Sequence, residues 1–106
     1  MKPANLIKTL KSAQQAMSNI QTELQSMKFE GTSGGGLVKL TINGKGEALA
    51  AFVDPAVLKE DGETVGDLFI AALNAANNQK HHIEKEKLKG VAGKLLPAGL
   101  SVPGLG

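Results

Sequence analysis

At 106 residues the chain is one domain, long enough for a core yet small enough that a partner subunit is expected to help cover it. It has no cysteine, which excludes disulfide staples, thiolate metal sites and cysteine nucleophiles. No apolar run reaches about 18 residues, and Lys8 and Lys11 interrupt the place where a signal-peptide core would lie, so the expectation is a cytoplasmic protein that spans no membrane.

From Asn5 to Met27 the residues Leu6, Leu10, Ala13, Met17, Ile20, Leu24 and Met27 alternate spacings of four and three, a heptad seam that predicts one long helix. Lys8 and Lys11 fall on the opposite side of its wheel and face water. The seam suits a partner helix or the chain's own second helix, and the pattern does not choose between them. Three short strands follow. Phe29 lies in the first, a loose glycine loop from Gly31 to Gly36 leads to the second over Leu37 to Asn43, and Asn43-Gly44-Lys45-Gly46 signals a hairpin into the third over Glu47 to Val53. Val38, Leu40 and Ile42 share one face, opposed to Lys39 and Thr41, so that face takes the helices. In the third strand Leu49, Ala51 and Val53 alternate with Ala48, Ala50 and Phe52. Both of its faces are apolar, one helix layer cannot cover them, and the sheet is left with an open edge, all of which points to a second subunit.

Asp54-Pro55 ends the third strand. A second long helix is expected from about Glu63 to Lys89, preceded by Asp61-Gly62 and carrying Thr64-x-x-Asp67 as a capping signal. Its first half docks through Val65, Leu68, Phe69, Ala72, Leu73 and Ala76; from Asn77 to His82 it is polar all round, so its second half projects. A helix of about 25 residues is roughly 37 Å long, against about 20–27 Å for strands of roughly six to eight residues, so both helices overhang the sheet. The chain thus divides into a folded domain over 1–90 and a tail over 91–106, rich in glycine, proline and leucine and expected to be flexible or laid against a partner.

Residues that carry chemistry are few. Gly34-Gly35-Gly36 joins two strands, whereas a phosphate cradle joins a strand to a helix N-terminus. Gly90-Val91-Ala92-Gly93-Lys94-Leu95 resembles a fragment of a nucleotide-binding loop but lacks its first-position spacing and its hydroxyl residue after lysine. His81 and His82 diverge by about 100° on a helix and cannot chelate one metal together. His82 and Glu86 could share a metal, but two ligands do not make a site. The expectation is a protein that is not an enzyme and uses no cofactor or metal.

Charge is the stronger signal. The net charge of +2 conceals an acidic middle, −4 over residues 43–79, between basic ends of +3 over 1–28 and +3 over 80–106. On the projecting half of the second helix His81, Lys85 and Lys89 form one stripe, and Lys80 and Lys87 another that Glu84 partly neutralises. Duplex DNA carries one charge per about 1.7 Å of its axis, and projecting helices can set lysines along it. A solvated charged face would look the same, so charge alone permits DNA binding without requiring it. All 12 basic residues are lysine, a phosphate point charge that reads guanine poorly, so any binding should tolerate sequence. Tryptophan and tyrosine are absent and the three phenylalanines read as core, which argues against single-strand stacking.

Taken together, several segments are specific. They are Gly34-Gly35-Gly36-Leu37-Val38-Lys39, Thr41-Ile42-Asn43-Gly44, Val53-Asp54-Pro55 with Leu58, Asp67-Leu68 with Ala71-Ala72, Asn74-x-Ala76, Lys85-Glu86-Lys87-Leu88 and Leu96-Pro97-x-Gly99. In this order they resemble the YbaB/EbfC nucleoid-associated proteins over nearly the whole chain. The resemblance implies an α+β fold of long helix, three-stranded antiparallel sheet and long helix, in a tweezer-shaped homodimer with a shared sheet. It also implies binding of double-stranded DNA in the bacterial cytoplasm, at the nucleoid. Of the family's basic positions Lys8, Lys85 and Lys87 carry over; Lys11, Lys80 and Lys89 join them from helical position. Where family members often carry further basic residues, this chain has Ala16, Asn19, Asn78 and Gln79. After Lys8 and Lys11 the first helix turns polar and largely uncharged, with Gln14, Gln15, Ser18, Asn19, Gln21 and Gln25, which supports an alternative: an interaction module for replication, repair or recombination proteins with weak DNA binding of its own.

Overall fold

The computed structural model describes residues Pro3–Leu95. Helix α1 (Pro3–Ser26) leads into strands β1 (Lys28–Ser33), β2 (Val38–Asn43) and β3 (Ala48–Val53), then a short 3-10 helix (Pro55–Lys59) and helix α2 (Gly62–Leu95). The strands form one antiparallel sheet in the order β1-β2-β3. This is the expected α+β arrangement.

Alternation decides which face of the sheet is covered. Val38, Leu40 and Ile42 are buried on one side of β2 and Phe29 beside them on β1, and α2 lies over that side. Gly31 makes the contact close: a Cβ there would run into the carbonyl oxygen of Ala72 and the amide nitrogen of Ala76. The core has two parts. Val38, Leu40, Val57 and Ala72 form one under the start of α2, with Val57 brought in by the 3-10 helix. Ile20, Leu24, Phe29, Ile42 and Ala76 form the other, where α1 meets the sheet.

Strand β3 departs from simple alternation. Ile42 pairs with Ala48 and Thr41 with Ala50, so Leu49 is the extra residue of a bulge and Ala48, rather than Leu49, sits opposite the buried Ile42. As expected for a strand that one helix layer cannot cover, Ala48 to Phe52 are all exposed, Leu49 and Phe52 at 50% each.

Both helices overhang the sheet. Helix α2, 34 residues long, reaches roughly 50 Å against about 20 Å for a six-residue strand. It continues through Gly90 and Gly93 past the boundary expected near Lys89, because Val91, like Ile83 and Leu88, packs on the part of the core where α1 enters. The tail expected from residue 91 is therefore helical as far as Leu95, and 96–106 lie outside the described residues. Since α1 runs into the sheet and α2 runs out of it, the two lie antiparallel in a shared arm. The heptad seam of α1 is divided by this packing: Ile20 and Leu24 are buried against the chain's own core, whereas Leu6, Leu10 and Met17 are 50%, 55% and 40% exposed. The extents of 67 × 24 × 17 Å and a radius of gyration of 19.3 Å, against about 13 Å for a compact chain of this size, record the overhang.

Candidate nucleic-acid interface

Helix α2 is capped by Asp61 rather than by the Thr64-x-x-Asp67 signal. The Asp61 carbonyl accepts the first intrahelical bond, from the Val65 amide at 3.0 Å, and its carboxylate accepts the Thr64 amide at 2.8 Å. Hydrogen bonds from the Thr64 side chain and backbone hold the Asp61 carboxyl below its usual range. With Glu60, Glu63 and Asp67 this makes one end of α2 acidic, while Lys85 and Lys89 stand near the other. From Asp67 to Lys85 is roughly 27 Å along the axis. The uneven charge seen along the chain has become a polarity of the molecule, with the basic end on the arm.

The six lysines expected to bind DNA divide into two groups. Lys85 and Lys89 are exposed, about opposite the edge of α2 that packs on α1 through Ile83 and Leu88. Lys8 and Lys11 are exposed on the outer side of α1. None of these four forms a salt bridge within the described residues. Lys87 and Lys80 point inward. The Lys87 ammonium donates to Glu23 of α1 at 2.6 Å, and Lys80 Nζ lies 3.7 Å from Glu84 Oε1 with its side chain 16% exposed. His81 Nδ1 stands 3.6 Å from the other oxygen of the same carboxylate. Two of the six are thus engaged inside the protein, by a partner 64 residues away in one case, which no helical wheel can display.

The Asn43-Gly44-Lys45-Gly46 hairpin brings a residue that helix patterns overlook. Gly44 packs so closely under the Leu24 carbonyl that a Cβ would collide with it, which seats the turn at the base of the arm. There Lys45 lines a cleft of about 350 Å³ with Met17, Gln21 and Leu24 of α1 and Glu84 and Leu88 of α2. Among the described residues no group of three or more histidines or carboxylates could hold a metal, so the exposed His82 and Glu86 remain a pair. No helix among them is long and apolar enough to cross a membrane.

Residues 1–95 match the YbaB/EbfC DNA-binding family. A nucleoid-associated protein of Streptomyces avermitilis is 43% identical over 101 residues, covering 94% of this chain and 88% of the relative. One of Streptomyces griseus subsp. griseus is 42% identical with the same coverage. The crystal structure of an uncharacterized protein from Helicobacter pylori superposes with a TM-score of 0.64 at 25% identity, over 92% of this chain and 99% of that one. The helix, three-stranded sheet and helical arm, together with a match from the first residue to the end of α2, place this chain in the YbaB/EbfC DNA-binding family.

Proposed function

We propose that the protein is a nucleoid-associated protein that binds double-stranded DNA as a homodimer, with little sequence specificity, through lysines on its projecting arms. Family membership over residues 1–95 carries the DNA reading. The exposed Lys8, Lys11, Lys85 and Lys89 supply a means, since lysines free of internal partners can displace counterions from phosphates. Low specificity follows from a contact set without arginine. The dimer rests on β3, whose open edge and exposed Leu49 and Phe52 suit pairing with a second copy that would bring two arms to one duplex. Such a protein acts by binding rather than by catalysis, and its place is the cytoplasmic nucleoid.

The test is titration of duplex DNA at several salt concentrations. With about six phosphates neutralised per dimer, log affinity should fall against log salt with a slope near about −5. A flat response, or no binding at low salt, would overturn the reading. It would favour the alternative of a module for replication, repair or recombination proteins. The uncharged stretch of α1 after Lys11, where Gln15 donates to Asn19 at 3.0 Å, speaks for that alternative.

A further inference from the structure

The arm has two flanks, and they differ in charge. Glu84 and Leu88 on α2, with Met17 and Gln21 on α1, mark the flank that holds the cleft. At about 100° per residue, the positions next outward on that flank are His81 and Lys85 on α2 and Ser18 and Lys11 on α1. The opposite flank carries Glu86 on α2 and Glu23 on α1, and Glu23 is met by the inward-pointing Lys87. One flank therefore offers free positive charge and the other offers carboxylates.

Lys45 stands on the basic flank at the base of the arm. Its turn is closed by the Asn43 side chain, whose oxygen accepts the Lys45 amide at 2.9 Å and the Glu47 amide at 3.0 Å. The nearby acids are occupied: Glu47 accepts the Asn43 side-chain amide at 3.0 Å, and Glu84 faces Lys80 and His81. Lys45 itself is exposed and forms no salt bridge within the described residues. It lies level with Glu84 and Gln21, and Lys11 is roughly 15 Å further along α1. Over such a length a duplex carries about nine charges.

Resting on the DNA-binding reading above, we infer that the duplex is gripped on the cleft flank of the arm and that Lys45 of the β2–β3 turn is a phosphate contact, with the Glu23 and Glu86 flank turned away. A contact on a turn pinned by backbone bonds is set in place before DNA arrives, so it fixes how deeply the duplex sits between arm and sheet.

Salt titrations of three variants test this. Lys45→Gln should weaken binding several-fold at moderate salt and make the log–log slope shallower by about 0.9 for each Lys45 in contact, about 1.8 for a dimer. Lys45→Arg should restore the slope, and Glu86→Lys should leave it unchanged. Unfolding curves matching the unsubstituted protein would establish that each variant is folded, as expected for exposed positions. An unchanged slope in Lys45→Gln, or a steeper one in Glu86→Lys, would overturn the inference while the DNA reading stands. Absence of salt-dependent binding in the unsubstituted protein would overturn the DNA reading, and this inference with it.

Discussion

Between Gly62 and Ala76 helix α2 lies on the sheet, with Ala72 and Ala76 wholly buried and its backbone in contact with Gly31. From Lys80 to Leu95 it has α1 beside it, packs through a single edge at Ile83, Leu88 and Val91, and exposes Lys85 and Lys89. Where it meets Gly31 the first stretch is small and apolar, at Ala72 and Ala76, because two backbones approach closely there. The second is long-chained and charged because most of its surface meets water. On the function proposed above, stability and binding fall to separate parts of one helix, so that each can be altered with little effect on the other.

The largest effect should come from the docked half. Gly31→Val sets side-chain atoms against the Ala72 carbonyl and the Ala76 amide, neither of which can yield without moving the helix. A loss of at least about 3 kcal/mol is expected, measured by denaturant unfolding. A near-normal midpoint would show that α2 is not held where we describe it. Next is the charge reversal of the outward lysines: Lys85→Glu with Lys89→Glu should weaken duplex binding on the order of 100-fold or more and leave the unfolding curve in place. Lost stability with unchanged affinity would reverse the division of labour proposed for α2.

Lys87→Gln separates the inward from the outward lysines of the arm. Because Lys87 is bound to Glu23, its removal should cost less than about 1 kcal/mol of stability. Affinity should fall much less than for Lys85→Gln measured beside it, and equal losses would mean that Lys87 leaves Glu23 for DNA. Smallest is an acid effect at the start of the docked half. The folded Asp61 has a carboxyl pKa below its usual value. Its contribution is therefore complete above the ordinary carboxylate range and is lost as pH falls through the lowered value. A slight decline of the melting temperature in acid should follow, and it should diminish in Asp61→Asn, which keeps a cap without a charge. An identical decline in both proteins would assign it to other carboxylates.

The element order, the covered face of β2 and the exposed apolar strand β3 were legible in the chain because each depends on local periodicity or turn chemistry. Asn43-Gly44 announces its hairpin and Val38, Leu40 and Ile42 their shared face within a few residues. Local pattern misleads where a contact reaches across the molecule. Val91 prolongs α2 beyond Lys89 because the core at the base of α1 receives it, and the bulge at Leu49 shifts Ala48 to the opposite face. Asp61, rather than Thr64, caps α2, although both stand in an acceptable capping pattern.

For the lysines the division is of the same kind. Local pattern suffices to show that positive charge gathers at the two ends of the chain, that it is all lysine, and that Lys8, Lys11, Lys85 and Lys89 lie away from apolar stripes, because a helix repeats every 3.6 residues whatever its surroundings. It took the packing of separate elements to bring Lys87 to Glu23 and to set Lys45 at the foot of the arm. Each of these depends on the packing of α1 against α2 and the hairpin, and distances between separate elements are written in no local pattern.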